Sequence, residues 1–375
     1  MFCYHENHYD TASGRVCTTS GRVCYYLSWW LDMRTITESL RVAQASSSVK
    51  PFIHLQFHGP SGNTYDYSYR VINLEHQEKP YDDWAEIYLY DNDRQIPDLR
   101  GYWTEIGYGA ITSTGGVEYS ATPRLWVKNK QLYSFEGNLF LVLRCEGVFS
   151  HLAESNLVVL GEPPEWEGQY PPDFTIYDTI TNILEAYGYS LDALGGQDDG
   201  IIDTLCPQLW VNENPFENPL EVIYRLIAMT KCFLRPKTGL AFEIRFPQES
   251  DSIDEHYSYN TPHHFHQYME KINEVIPNHV VVFYNQDEDG GWTNVQQAEA
   301  FDDDSIERCK TLAPTTDGKI TRYHIAADLT SATDANNRAS AILTREKFEE
   351  LAGQLVVPHD CRVELYDRVG IYDER

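Results

Sequence analysis

The stretch Asp83-Trp84-Ala85-Glu86-Ile87-Tyr88-Leu89-Tyr90-Asp91-Asn92-Asp93, followed by Gly101-Tyr102-Trp103-Thr104-Glu105-Ile106-Gly107-Tyr108-Gly109, decides the fold class. Side chains alternate on a two-residue period up to Tyr90, the pattern of a strand with one buried face. Asp91-Asn92-Asp93 signals a turn, because short polar side chains bond the backbone beside them. Glycines punctuate the second strand. Gly107 and Gly109 are expected to supply backbone freedom, and Trp84 and Trp103 to supply packing. A comparable run stands near the end of the chain, Asp360-Cys361-Arg362-Val363-Glu364-Leu365-Tyr366-Asp367-Arg368-Val369-Gly370-Ile371. Two β modules therefore flank a middle of different character.

Around the first pair, residues 49–160 are strand-rich. Phe52-Ile53-His54-Leu55-Gln56-Phe57 leads into the turn Gly59-Pro60-Ser61-Gly62-Asn63. A strand is expected over 67–74. Gly115-Gly116 marks a turn before Leu125-Trp126-Val127, and Leu139-Phe140-Leu141-Val142-Leu143-Arg144-Cys145-Glu146-Gly147 is the most apolar strand. Short strands with turns at this spacing predict a barrel or sandwich. Residues 1–48 read as an N-terminal extension, with a repeat (Ser13-Gly14-Arg15-Val16-Cys17, Ser20-Gly21-Arg22-Val23-Cys24) and a linker at Ala45-Ser46-Ser47-Ser48.

Pro163-Pro164 and Pro171-Pro172 bracket a stiff connector, and the hydrophobic period then changes. Ile176, Ile180, Ile183, Leu184 and Tyr187 share one helical face. Thr175 and Asp178 have capping-box spacing, and Gly188 sits where a helix stops. A second helix has Asn218 as cap, Pro219 in first position, Glu221 closing the box, and Ile223, Leu226 and Ile227 on its buried face. Residues 240–246 alternate as a strand. Residues 161–276 thus form an α/β connecting region, and 277–375 a second β domain. That domain is expected to hold a buried strand over 278–284, an acidic hairpin tip over 286–291 and a short strand over 322–325. A long helix over roughly 332–352 and a strand over 362–366 complete it. The expected class is a mixed, β-rich α+β fold, two β-barrel-like domains flanking a helical α/β middle.

The chain has 375 residues, 42% hydrophobic with 26 tyrosines, enough to fill real cores. Its formal net charge is -28. No Lys/Arg cluster of the kind a phosphate-binding surface needs is present, which argues against stable or sequence-specific nucleic-acid binding. Acidic surfaces keep a chain soluble, and a carboxylate-lined channel repels a passing duplex. Eight cysteines, at 3, 17, 24, 145, 206, 232, 309 and 361, include no C-x-x-C pair, which reads as reduced thiols. The start of the chain lacks a signal-peptide layout, and 23–33 is too short to cross a bilayer, so no stable membrane insertion is expected.

No G-x-S-x-G, H-E-x-x-H or Walker lysine loop occurs, and no catalytic residue, cofactor or metal is assigned. Glu162, Glu165 and Glu167 beside Trp166 and Tyr170 resemble one side of a sugar cleft but read as an acidic linker. His263, His264 and His266 read as a polar loop before they read as a metal site. Cys3, His5, His8, Cys17 and Cys24 form a denser ligand set whose spacing matches no regular zinc finger. Asp287-Glu288-Asp289-Gly290 lacks the terminal Glu of an EF-hand loop and reads as a solvated hairpin tip. Asp302-Asp303-Asp304 reads as a solvated loop or helix start, where acids suit the dipole.

Taken in order, these segments resemble the baseplate or tail hub proteins of long-tailed bacteriophages and related contractile injection systems. Residues 84–93 with 101–109 are similar to the first-barrel pair of that family, a strand, an N/D turn, then a glycine-spaced strand. Residues 174–191 and 220–246 resemble its middle helices and following strand. Glu274-Val275-Ile276-Pro277-Asn278-His279-Val280-Val281-Val282 resembles the start of its second barrel, and 336–367 its closing helix and strand. The resemblance covers about 50–373, and the order of the motifs carries it. It implies a structural virion protein, not an enzyme: a homotrimer whose six barrels make a pseudo-sixfold ring at the tail tip. It further implies contacts with the tail tube, distal tail proteins, the tape-measure protein and a tip or spike, with DNA passing through. Assembly would take place in the host cytoplasm. The alternatives are a carbohydrate-active tail enzyme acting on glycan or peptidoglycan, motivated by Trp, Tyr and carboxylate content, and a non-catalytic glycan-binding adhesin.

Overall fold

The computed structural model describes residues 2–4, 34–46, 48–155, 174–196, 198–207, 218–248, 250–259, 264–286, 291, 293–327, 329–348 and 351–372. Over these residues the fold is β-rich α+β, with one large antiparallel sheet and six α-helices.

The chain opens with β1 (Phe2–Tyr4) and α1 (Glu38–Gln44). The large sheet follows: β2 (Pro51–His54), β3 (Gln56–His58), β4 (Thr64–Asp66), β5 (Val71–Lys79), β6 (Asp82–Tyr90), β7 (Trp103–Ile111), β8 (Val117–Phe135) and β9 (Asn138–Gly147). The β6 alternation is real: Ala85, Ile87 and Leu89 are fully buried, and they pack with Leu125, Leu141 and Leu143. The strands run in the order β4-β3-β7-β8-β9-β6-β5, with β2 also on β7. Strands β6 and β7 are therefore not a hairpin, although a turn joins their sequences. The connection between them buries Ile96 and Leu99, and β8 and β9 fill the space between. Strand β5 starts at Val71, not at 67, because a 3₁₀ turn over Ser68–Arg70 is held by the Asp66 carboxylate. The two ends of the path, β4 and β5, do not pair, so backbone bonds among the described residues do not close a barrel.

Strand β8 is 19 residues long and outruns β7. It pairs with β7 only as far as Trp126 and continues to Phe135 against β9 alone. Gly107 and Gly109 lie on β7 opposite this strand, and neither has a left-handed backbone. Their value is close approach instead. A Cβ on Gly107 would meet the Tyr119 ring and, at 2.8 Å, His54 Cβ; one on Gly109 would overlap the Glu118 carbonyl.

The helical signals hold locally. After α2 (Val148–Glu154), α3 (Ile176–Ala186) carries a true capping box between Thr175 and Asp178, and Gly188 ends it at φ +77. The short β10 (Ser190–Leu191) precedes α4 (Pro219–Ile227), capped by the Asn218 side chain on the Glu221 N–H. Strands β11 (Phe233–Lys237), β12 (Ala241–Arg245), β13 (Glu255–Ser258) and β14 (Gln267–Ile272) follow. Next come β15 (His279–Tyr284), β16 (Gln296–Phe301), α5 (Asp303–Arg308), β17 (Thr321–Ile325), α6 (Ala332–Phe348), β18 (Leu351–Val356) and β19 (Arg368–Tyr372). One core joins α2, α3 and α4 to β12, β15 and the small-residue face of α6 (Ala335, Ala339, Leu343). No helix among the described residues is long and apolar enough to cross a membrane.

Two expectations near the C-terminus are corrected. The long helix ends at Phe348, and residues 351–356 form β18, paired antiparallel with β14. Residues 362–366 are not a strand. Asp360 binds the Arg362 N–H, Asp367 binds the Glu364 N–H, and Tyr366 sits at φ +74. Side-chain bonds to the backbone compete with the ladder and turn the segment into a loop. The N-terminal extension also contains more than expected: α1 is docked, with Leu40 buried against Ala110 and Cys361.

The close approach at β7 yields a test. Gly109→Ala is expected to cost about 1–3 kcal/mol through overpacking, whereas Gly116→Ala, whose Cβ has its nearest neighbour at 3.7 Å, carries no such clash. Urea denaturation of the two variants checks this; equal stability would refute the account of Gly109.

Candidate functional site

The strongest concentration of chemistry in the described chain is a buried ionic junction. Arg34, just before α1, donates to Glu364 Oε1 at 2.8 Å and reaches Glu78 on β5 at 3.4 Å. Arg235, almost wholly buried on β11, donates to Asp367 Oδ1 at 2.7 Å and to the Leu365 carbonyl at 2.9 Å, and it also pairs with Glu243 on β12. Beside it, His76 meets the buried Asp83 at 3.0 Å and Tyr108 Oη at 3.1 Å, and the His359 ring lies 4.2 Å from Tyr108. A third knot holds α1: Arg362 sits between Asp360 and Glu255, and Gln44 donates to Asp360 Oδ1 at 2.8 Å. The N-terminal segment, the large sheet, the β11–β12 hairpin and the C-terminal loop thus meet in one polar seam.

Charge in the seam is unevenly matched. Glu78, Glu243, Glu364 and Asp367 face Arg34 and Arg235, with Lys237 reaching Glu243 at 3.5 Å from the edge. Burial works against the Arg235 charge, but Glu364, Asp367 and Glu243 together raise its pKa, so it stays charged. Asp367 is the carboxyl most affected: its side chain is fully buried, and desolvation pushes its pKa up to about 7 despite Arg235. Burial also raises Asp83 against the pull of His76, and lowers His359. A cavity of about 10 Å³ lies between Arg34, Glu78, Asp83, Arg235 and Glu364. That is near the smallest size that holds one water, and Asp83 Oδ2 has no partner among the described residues.

This seam was not legible as a site in the sequence. Arg235 sits inside a strand with Phe233 and Leu234, and a charge in a buried strand is the one local hint. The expected structural residues lie elsewhere. Trp84 and Trp103 are half-buried on the outer face of the large sheet and belong to no buried core cluster. Arg144 stacks on Trp84 at 3.8 Å, and Arg124 on Trp103 at 3.7 Å, with His58 on that indole at 4.0 Å. Trp84 Nε1 donates to Gln77 at 2.8 Å. Arg124 also reaches Glu105, which accepts the Gly239 N–H at 3.1 Å and ties this face to the β11–β12 turn.

Among the described residues, no group of three His, Cys, Asp or Glu side chains is placed to hold a metal. The His264 and His266 rings lie 5.1 Å apart, edge to face; His263 lies outside the described residues. So do Glu162, Glu165, Trp166, Glu167 and Tyr170, the acidic tip Asp287 to Gly290, and His5, His8, Cys17 and Cys24. Asp302 caps α5 through the Ser305 N–H, with Asp303 and Asp304 in its first turn, as the acidic run suggested. Cys145, Cys206, Cys232, Cys309 and Cys361 are free thiols.

No protein-family profile and no curated protein matches the chain. Its fold is similar to that of a tail protein from Neisseria meningitidis MC58, at 12% identity over 87% of each chain and a TM-score of 0.57. It is also similar to the 43 kDa tail protein of prophage MuSo2 from Shewanella oneidensis, at 11% identity over 86% of this chain and 89% of that one, TM-score 0.56. The likeness is one of fold.

The proton on Asp367 gives the seam a pH signature. The carboxyl has a higher pKa folded than unfolded, so its stabilisation is full below its unfolded value of 3.8 and fades as the pH rises through about 7. His359, pushed down by burial, titrates with the opposite sign, losing stability as the pH falls. From pH 6 to 8.5, Asp367 is expected to cost the chain roughly 1–2 kcal/mol. Asp367→Asn should remove that slope in denaturation at the two pH values. A variant with the wild-type slope would show that the proton resides elsewhere.

Proposed function

We propose that this chain is a structural component of a phage-type tail, a trimeric hub whose ring joins the tail tube to the tip. The observation that carries the reading is the likeness of fold to two tail proteins over 87% and 86% of the chain. In this reading residues 49–160 and 277–375 supply the barrel-like ring domains, and 161–276 connect them. Residues 1–48 form an extension. Two barrel-like modules per subunit, as the resemblance implies, would let a threefold assembly present six surfaces to a sixfold tube.

The buried seam suits such a part. A hub transmits load between its neighbours, and a seam of buried ion pairs constrains the arrangement of the segments it joins, because another docking strands a charge. Its ionised groups bind one another, which supports a scaffold over a catalyst. The formal charge of -28 supports passage of DNA and the tape-measure protein without adhesion. The tail tube, distal tail proteins and a tip or spike protein are the partners this function requires, and the virion is its location.

The reading predicts self-association. Sedimentation over a range of concentrations should show a trimer, and negative-stain images should show rings with a central opening. A chain that stays monomeric at every concentration would overturn the self-assembling hub.

A further inference from the structure

Strand β8 has one open edge. The Gly101 N–H donates to the Val127 carbonyl and the Val127 N–H to the Tyr102 carbonyl, where Gly101, at φ +80, turns the chain. From Lys128 to Phe135, β8 pairs with β9 alone among the described residues. A groove of about 470 Å³ lies at this edge, lined by Asp98, Arg100, Lys128, Asn129, Lys130 and Leu132. Two of its cations are paired, Arg100 with Asp98 and Lys128 with Glu154. Lys130 makes no salt bridge among the described residues.

The register of the hairpin says which side chains act together. Lys130 stands opposite Leu143 and Leu132 opposite Leu141, and both partners belong to the buried core of the large sheet. Lys130 and Leu132 therefore share one face of β8, two positions apart. Leu132 is 62% exposed. Gln131, opposite Val142, stands on the other face. Unpaired backbone groups on a strand edge accept another strand, and the side chains beside them decide which one. A lysine turned toward the core side of an open edge rejects neutral and basic strands, because its charge would be covered without a partner. It does not reject a carboxylate.

We infer that the open β8 edge receives an extended acidic peptide from a partner protein, with a carboxylate beside Lys130 and an apolar side chain over Leu132. Charge complementarity names the partner. In a chain of formal net charge -28, this edge offers an unpaired ammonium with two further cations in the same groove, so an acidic strand meets attraction here and repulsion over most of the remaining surface. The spacing sets the specificity. Lys130 and Leu132 are two positions apart on one face, so the peptide carries its acid and its apolar residue two positions apart as well. Affinity comes from backbone hydrogen bonds to β8, and the two side-chain contacts choose the register. The contact does not depend on the ring and adds to it a separate surface for another protein.

Fluorescence anisotropy on the full chain tests this with two labelled synthetic peptides as long as the free edge. One alternates threonine with glutamate and leucine, so that each glutamate stands two positions from a leucine. The other has lysine in place of glutamate. The first should bind saturably and more weakly as salt rises, and the second should not bind. Lys130→Glu and Leu132→Ser should each weaken the first peptide by about tenfold, whereas Gln131→Ala, on the opposite face, should leave it unchanged. Lys130→Gln replaces Lys130→Glu if circular dichroism shows that the latter fails to fold. Equal binding of the two peptides, binding of neither, or full affinity in the Lys130 variant would overturn the inference. Self-association of the free chain that the Lys130 and Leu132 variants abolish would also overturn it, because a second copy would then hold the edge.

Discussion

A guanidinium taken out of water must be met by carboxylates, and Arg34 and Arg235 are met by groups drawn from distant parts of the chain. Glu78 comes from the large sheet, Glu243 from the β11–β12 hairpin, and Glu364 and Asp367 from the C-terminal loop. Buried ion pairs are weak sources of net stability, because desolvation offsets most of their attraction. They are strong constraints on arrangement, because any other docking of these segments strands a charge. The large sheet, the helical core and the terminal segments each have apolar reasons to fold. The seam fixes how they sit against one another.

Much of the local structure was legible because its signals are local. The Thr175–Asp178 box, Asn218 and Pro219 mark helix starts by chemistry that acts within a few residues. The alternation of β6 and the apolar run of β9 mark strands in the same way. What failed was whatever depends on distant partners. Residues 362–366 alternate like a strand, yet Arg362 and Glu364 are claimed by Glu255 and Arg34, so the loop forms instead. The sequence order of β6 and β7 suggested a pair, and only the sheet order shows β8 and β9 between them.

The tryptophans carry a related lesson. Trp84 and Trp103 look like core residues because indoles are mostly apolar. Each instead lies under an arginine on the outer face, where the cation sits over the ring and stays partly hydrated. The glycines of β7 show the converse. Their spacing was legible, but the reason for it lies on β8, in the Tyr119 ring and the Glu118 carbonyl. Such a face is firm without being apolar, which suits the surface of a part proposed to work by contact with neighbours.

Arg34 and Glu364 are separated by 330 positions in the chain. During synthesis the first residue of that pair leaves the ribosome on the order of tens of seconds before the second, at typical elongation rates. Until then its charge has no seam to enter, and α1 lacks both Asp360 and Cys361. The large sheet and the helical core can form while the ribosome is still working, but the seam waits for the last segment. A chain released early keeps folded parts without their fixed arrangement. Stopping the chain before Glu364 thus removes the carboxylate that takes the Arg34 Nε–H.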